Sequence, residues 1–503
     1  MNSGTRRESV SLISSSSGMP RGQASYGQAA GPQGRPEMAD IGRLARRFMT
    51  RTVAAARAEE SSLGRLLADH LGAQAAAMPL ARGSWPAYDQ VNVQTGLDAW
   101  LAEPGRSHHL VGLTHYRHRD FGLADLMQPG QPWSPGIGNV ATEALPAGPG
   151  GVTRSCVQCG LYFITDADGA AVLLVRGPEE HSANDDVNVE VASVRPGRAQ
   201  EIADEIRRLS LEHNVFRGHV IAFRDEVFDH HRGALLSFVD RPQVARDEVI
   251  LPPEILDGIE RQVLGVARHA SRLLASGQHL RRGVLLYGVP GTGKTHTLRY
   301  LLGRLPGVTA VLLSGRALGM ISAACSVARA LQPSVVVVED VDLIAEERGH
   351  HLGENPLLFE LLNEMDGLGQ DIDVTFLLTT NRPDLLEEAL AARPGRVDHA
   401  AGLPVPDAQA RGRLIRLYQG GLELDLSDPD AVIARTAGVT ASFIKELLRR
   451  AALQAADEDG DEDGEQAGTP LLVTDAHMTA ALDQLLDTRS AMTAILLGGA
   501  PAD

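Results

Sequence analysis

Eight consecutive residues narrow the possible folds of this chain more than any property of its composition. Gly288-Val289-Pro290-Gly291-Thr292-Gly293-Lys294-Thr295 fits the pattern G-x-x-x-x-G-K-[ST]. It stands directly after the apolar run Gly283-Val284-Leu285-Leu286-Tyr287 and before a helical pattern from Leu298 to Leu305. Strand, glycine loop and helix in that order are the context of a phosphate-binding loop. Glycines let consecutive backbone N–H groups turn inward around an anion, the following helix points its positive end at it, and a hydroxyl at the last position can ligate a divalent cation. In a chain with 52 glycines a lone match would mean little; the flanking strand and helix give it weight. The lysine adds to this. Of 47 basic residues, 45 are arginine, and Lys294 and Lys445 are the only lysines. A lysine that remains marks a place where a planar guanidinium does not fit, although for Lys445 compositional drift is explanation enough.

A second run, Ser334-Val335-Val336-Val337-Val338, has the pattern of a buried parallel strand, and it ends in Glu339-Asp340-Val341-Asp342. Carboxylates at the C-terminal end of such a strand lie beside the phosphate loop. There one can hold Mg²⁺ through water and the next can polarise an attacking water. Acids that merely end a strand would explain the run, but not its position about forty residues beyond the loop.

Three further stretches complete a set: Leu361-Leu362-Asn363-Glu364-Met365-Asp366-Gly367, Thr379-Thr380-Asn381-Arg382-Pro383 and Arg393-Pro394-Gly395-Arg396-Val397-Asp398. Together with Gly288 to Thr295 and Pro333 to Asp342 they resemble the AAA ATPase module, in that family's order, from about Asp247 to Leu497. The resemblance implies an α/β fold, with the parallel-sheet core of a P-loop NTPase over 247–402 and a small helical lid over 403–497. It implies a homo-oligomeric ring, usually hexameric, with ATP and Mg²⁺ bound at subunit interfaces. Carried over residue by residue, it gives Gly288, Val289, Pro290, Gly291, Thr292, Gly293, Lys294, Thr295 and His296 to nucleotide binding. Thr295, Glu339 and Asp340 fall on the metal side, and Asp340 and Glu339 form the catalytic pair. Asn381 matches the sensor that orients the attacking water, and Arg393 and Arg396 match the fingers that reach a neighbour's γ-phosphate. An arginine supplies a fixed fork of donors to a developing anionic charge, and drawing it from another chain makes hydrolysis depend on assembly.

Three departures from the family pattern stand out. The family usually has Asp before Glu at the end of the second motif, whereas here Glu339 precedes Asp340, which leaves the catalytic carboxylate one methylene shorter. Each 1.4 kcal/mol is tenfold in rate, so a small misplacement would give a slow ATPase or a nucleotide switch. The stretch between Ser314 and Pro333 is short, and its nearest pore-loop candidate, Leu318-Gly319-Met320, has no aromatic; an apolar grip on polypeptide and plain core filling both remain open. In the lid, Val439-Thr440-Ala441-Ser442-Phe443-Ile444-Lys445 replaces the family's Ser-Gly-Ala-Asp. Lys445, beside Glu446 and Arg449, reads as an exposed helix charge rather than a nucleotide sensor.

The remaining chain is organised around this module. Residues 1–38 are rich in Ser, Gly, Gln and Pro and read as a disordered tail. An amphipathic helical segment covers 39–79, with Ile41, Leu44, Phe48, Val53, Leu63, Leu66 and Leu67 at mostly helical spacing. A small α/β (α+β) N-terminal domain of unassigned function covers 80–240. Its clearest features are a hairpin from Gly160 to Val175 turning at Asp166-Ala167-Asp168-Gly169, a helix from Ala199 to Leu211 and a strand from Gly218 to Phe223. The acidic run Asp457 to Glu465, within a loop set at 457–468, resembles a calcium loop, but the best register puts Pro470 where a bidentate Glu belongs, so it reads as solvated.

Several classes are set aside on composition. A formal charge of −17 argues against bulk binding of nucleic acid or anionic membrane. Three cysteines exclude a disulfide scaffold, and no apolar run reaches the ~18 residues of a spanning helix, so the cytoplasm is expected. Cys156-Val157-Gln158-Cys159 has metal spacing but no second pair, and three residues apart on a strand one cysteine is expected to pack inward. The pairs His108-His109, His230-His231 and His350-His351 lack a Glu placed for zinc hydrolysis, which excludes intrinsic proteolysis. Trp85, Trp100 and Trp133 read as core. The leading expectation is an ATPase that remodels a protein partner chosen by the N-terminal domain; its rival is a slow or non-turnover nucleotide-dependent switch or scaffold.

Overall fold

A computed structural model describes residues 63–72, 74–117, 121–128, 135–178, 186–223, 236–346, 356–367, 369, 372–384, 397–459 and 470–486. The expected tail, most of the amphipathic segment, Trp133, the His230 and His350 pairs, Arg393, Arg396 and most of the acidic loop lie outside these residues.

The N-terminal sheet is antiparallel throughout and has seven strands: β1 (Ala81–Trp85), β2 (Ser107–Leu113), β3 (Ile137–Gly138), β4 (Ala141–Pro146), β5 (Thr153–Asp166), β6 (Gly169–Arg176) and β7 (Val187–Ser193). Its order is β1-β7-β6-β5-β2-β3, with β4 also on β5. The β5–β6 hairpin closes on Asp166 opposite Gly169, and Gly169 takes the positive φ (113°) that this tight turn requires. Helices α1 (Gln90–Leu101) and α2 (Arg198–Glu212) pack on one face of the sheet. The helical residues 63–71 cover the other, where Leu63, Leu67 and Leu71 are buried. With both faces covered, β5 is continuously buried from Cys159 to Ile164: Leu161 and Phe163 enter one core, Tyr162 and Ile164 the other.

The same geometry decides the cysteines. Because both faces are covered, Cys156 and Cys159 are both buried, in different clusters, rather than one inward and one outward. Burial pushes the Cys156 thiol up to about 12. Among the described residues no three His, Cys, Asp or Glu side chains are grouped to hold a metal. Trp85 and Trp100 are core residues, and Trp100 donates its indole N–H to Glu205 at 2.6 Å.

The second sheet also has seven strands: β8 (Val220–Phe223), β9 (Leu236–Val239), β10 (Arg282–Tyr287), β11 (Thr309–Leu313), β12 (Ser334–Val338), β13 (Val374–Thr380) and β14 (His399–Gly402), in the order β14-β10-β13-β12-β11-β8-β9. All its pairs are parallel except the hairpin β8–β9. Here the expected boundary at 240 is corrected. Strand β8 pairs with β11, Val220 opposite Ala310, so this hairpin belongs to the nucleotide-binding sheet and not to the N-terminal domain. The reason is an unfilled edge. Without β8 the apolar strand β11 would present its N–H and C=O groups along the sheet's border.

Buried Val335 to Val338 and Phe376 to Leu378 fill the middle of the sheet, each contributing about 1.5–3 kcal/mol of apolar burial. Around it lie α3 (Pro253–Glu260), α4 (Val266–Ala275), α5 (Lys294–Gly303), α6 (Ile321–Ala330), α7 (Val341–Glu346) and α8 (Pro356–Asp366), with one π turn, Arg261–Gly265, between α3 and α4. The lid residues form α9 (Ala408–Gln419), α10 (Pro429–Arg435), α11 (Ala441–Asp459) and α12 (Asp475–Leu486). They also form a two-stranded parallel pair, β15 (Glu423–Asp425) with β16 (Leu472–Thr474), that helical periodicity did not suggest. Asp457 to Asp459, expected in a loop, are the last residues of α11. No described helix is long and apolar enough to cross a membrane.

Candidate active site

Strand β10 lies between β14 and β13, and β13 lies between β10 and β12, all parallel, so their C-terminal ends open at one edge of the sheet. This adjacency brings the loop after β10, the acids after β12 and Asn381 after β13 together, at the place where open α/β sheets bind ligands. The loop turns on Gly288, Gly291 and Gly293, with φ of 152°, 84° and 97°. Gly288 also admits a close approach: a Cβ there would lie 2.5 Å from the Leu403 carbonyl oxygen. Gly293 caps the N-terminus of α5, which begins at Lys294. Thr292 closes the loop by donating its hydroxyl to the Val289 carbonyl at 3.0 Å.

Lys294 is buried, and its Nζ donates to the carbonyls of Gly288 (2.7 Å) and Val289 (3.1 Å). Burial lowers its pKa, while the charges of Asp340 and Asp342 oppose that shift. A cation held inside the loop beside two carboxylates suits a polyphosphate. Thr295 donates its hydroxyl to Glu339 Oε2 at 2.9 Å. One hydroxyl and one carboxylate are hard oxygen donors, and Mg²⁺ needs few of them because it keeps waters and phosphate oxygens in its octahedron.

Asp340 has φ 54°, in the left-handed region that non-glycine residues rarely adopt. Two contacts hold it there: its backbone N–H donates to Thr379 Oγ1 (3.0 Å), and Asn381 Nδ2 donates to its Oδ1 (3.2 Å). Asn381 and Asp340, paired in the sequence reading only through a water, touch directly. Asp342 is a site residue that sequence reasoning left without a role. It is buried, and its Oδ1 accepts from Thr380 Oγ1 (2.8 Å) and from the Asn381 N–H (3.1 Å), anchoring the residue that meets Asp340. Its signal was present in the spacing: two residues after Asp340 it falls on the first turn of α7, facing the end of β13.

The lid reaches the loop through its longest helix. The Ser442 N–H at the start of α11 donates to the Gly291 carbonyl at 3.2 Å, and a Cβ on Gly291 would lie 2.7 Å from Thr440 Oγ1. The substituted lid motif thus sits on the phosphate loop. Lys445 is exposed, with its ammonium 5.9 Å from the Tyr418 ring centroid. Leu318 of the pore-loop candidate is buried and Met320 packs against the same cluster, so both are core residues and only Gly319 of the three is exposed. The His296 ring is turned away from the loop, onto the Glu248 carbonyl at 3.2 Å.

Comparison with known proteins agrees with this geometry. The family model of the ATPase family associated with various cellular activities (AAA) matches residues 284–405. ATP-dependent zinc metalloprotease FtsH 2 of Symbiobacterium thermophilum is 35% identical over 208 residues, covering 38% of this chain and 35% of that protein. ATP-dependent zinc metalloprotease FtsH of Thermus thermophilus is 30% identical over 243 residues, 46% of this chain and 39% of that one. ATPase family gene 2 protein homolog A of Homo sapiens is 32% identical over 229 residues, 43% of this chain and 25% of that one. The chain therefore carries an AAA domain at residues 284–405, an ATPase domain by family. It spans 25–39% of the length of these relatives.

Proposed function

We propose that this protein is a cytoplasmic, oligomeric AAA ATPase that hydrolyses Mg-ATP at subunit interfaces and uses the cycle to remodel a protein partner held by its N-terminal domain. The observation that carries the reading is the meeting of Lys294, Thr295, Glu339, Asp340 and Asn381 around one glycine loop. In this reading residues 288–295 cradle the triphosphate. Thr295 and Glu339 would hold Mg²⁺, which would neutralise charge on the phosphates. Asp340 accepts the proton of the attacking water, and Asn381 fixes the carboxylate that does so. Arg393 and Arg396 of a neighbouring copy complete the site in a hexameric ring. The proteolysis in the names of the FtsH relatives is not proposed here, because this sequence has no His-Glu-x-x-His spacing.

The test is ATP turnover against protein concentration, with mass photometry on the same samples and Asp340→Asn as the blank. Turnover that rises as rings form, vanishes in the blank and is lost in Arg393→Ala supports the reading; undiminished turnover by Arg393→Ala refutes the interface model. A second reading, a nucleotide-dependent switch or scaffold, draws on the shorter Asp340 carboxylate, one oxygen of which is already engaged by Asn381. It predicts tight ATP binding and ring formation with no turnover above the blank.

A further inference from the structure

The segment that follows β9 runs along the helix that follows the phosphate loop, in the opposite direction, and is fastened to it at both ends. At the C-terminal end of α5, Arg241 donates to four carbonyls, those of Leu302 (2.7 Å), Leu305 (2.9 Å), Val308 (2.7 Å) and Gly218 (3.0 Å). A cation on the last carbonyls of a helix also opposes the negative end of its dipole. One step on, the Pro242 carbonyl lies so close to α5 that a Cβ on Gly303 would come within 2.5 Å of it. Midway, Arg246 pairs with Glu260, which accepts from the Tyr300 hydroxyl on α5. At the N-terminal end, His296 on the first turn of α5 meets the Glu248 carbonyl at 3.2 Å.

Beyond Glu248 the strap passes between two cores. Val249 and Leu251 are buried in the cluster around β10 and α5, whereas Ile250 packs against the lid cluster. The lid in turn rests on Gly291 through Ser442. Residues 248–250 and the start of α11 are thus both tied to the loop and the helix that follows it, the first through His296 and the second through Gly291.

We propose that His296 is a positioning residue for nucleotide binding: its hydrogen bond to the Glu248 carbonyl fixes the strap 241–250 against α5 and so sets the wall against which the base lies. The inference rests on the nucleotide reading of the site. The bond uses an Nε2–H donor, which a leucine removes and a glutamine amide supplies at similar reach. A single net hydrogen bond is worth about 0.5–1.5 kcal/mol, which is roughly a 2- to 12-fold change in affinity.

The experiment measures two competitors on the full chain by displacement of a fluorescent ADP: ATP, and inorganic tripolyphosphate, which has no base. In His296→Leu the dissociation constant for ATP rises about 3- to 10-fold, KM rises with it and kcat stays within twofold, while tripolyphosphate binds as in the wild type. His296→Gln restores ATP affinity. Unchanged ATP affinity in His296→Leu overturns the proposal. So does an equal loss for tripolyphosphate, which would mean that the loop itself had been distorted. A wild type that binds neither competitor would instead refute the nucleotide reading, and this inference with it.

Discussion

Replacing Asp342 by alanine tests the arrangement of the site most directly. Its carboxylate holds two donors at the end of β13, the fully buried Thr380 hydroxyl and the Asn381 N–H. Removing the acceptor strands both, and a buried donor left without a partner costs about 1–3 kcal/mol, so about 2–6 kcal/mol of stability is at stake. At roughly 2–4 °C per kcal/mol for a unit of 150–250 residues, calorimetry of Asp342→Ala should show Tm lowered by about 4–24 °C. Asp342→Asn keeps one acceptor oxygen in nearly the same volume and should lose less than half of that. The catalytic effect is larger than the structural one. Asn381 donates to Asp340 at 3.2 Å, and a misplacement of about 1 Å at a reacting group can cost about 100-fold in rate. Turnover at saturating ATP in the folded Asp342→Ala protein should therefore fall about 100-fold with nucleotide affinity nearly unchanged. A Tm within 2 °C of wild type together with turnover within twofold would sink the idea that Asp342 anchors Asn381.

Other outcomes follow from the same geometry. Lys294→Ala should abolish nucleotide binding, whereas Asp340→Asn should bind ATP and turn none over; equilibrium binding and phosphate release separate the two. Gly291→Ala places a Cβ 2.7 Å from Thr440 Oγ1 at a residue with φ 84°, adding about 1–2 kcal/mol of backbone strain and displacing the lid. Its ATP affinity should fall at least tenfold, and unaltered affinity would show that the lid contact is dispensable. The Arg449 and Arg450 hydrogen bonds hold the Glu446 carboxyl at about 2, below its ordinary 4.5. A depressed carboxylate stabilises the fold above its ordinary pKa, and that contribution fades as pH falls from 4.5 toward about 2. Acid unfolding followed by circular dichroism should accordingly be less steep over this range in Glu446→Gln; superimposable profiles would contradict the assignment.

The loop, the strand ahead of it and the acids at the end of β12 were legible because each is a local pattern: an apolar run, glycines at fixed offsets, carboxylates at a strand end. Asn381 was legible only through the family resemblance, since one asparagine after an apolar run carries little signal by itself. What the sequence did not disclose depends on contacts between distant residues. Arg241 was one arginine among 45 until four carbonyls surrounded it. Strand β8 looks like any short apolar run, and only the free edge of β11 assigns it to the nucleotide-binding sheet. The cysteines were misjudged because alternation presumes one solvated face, and here helices cover both. Leu318 and Met320 were read as either grip or filler, and the core beneath them decides for filler.

The position of β8 and β9 also orders events on the ribosome. These strands are made before any other part of the sheet they join, and the partner of β8, the segment Ala310 to Leu312, lies about ninety residues further on. At about 5–20 residues per second this is a delay of roughly 5–18 s. Through that interval two short apolar strands have left the ribosome with one edge unsatisfied. The N-terminal sheet, whose seven strands are all complete by Ser193, can close during the same wait. Synthesis thus finishes one sheet while the other exists only as its last two strands in spatial order.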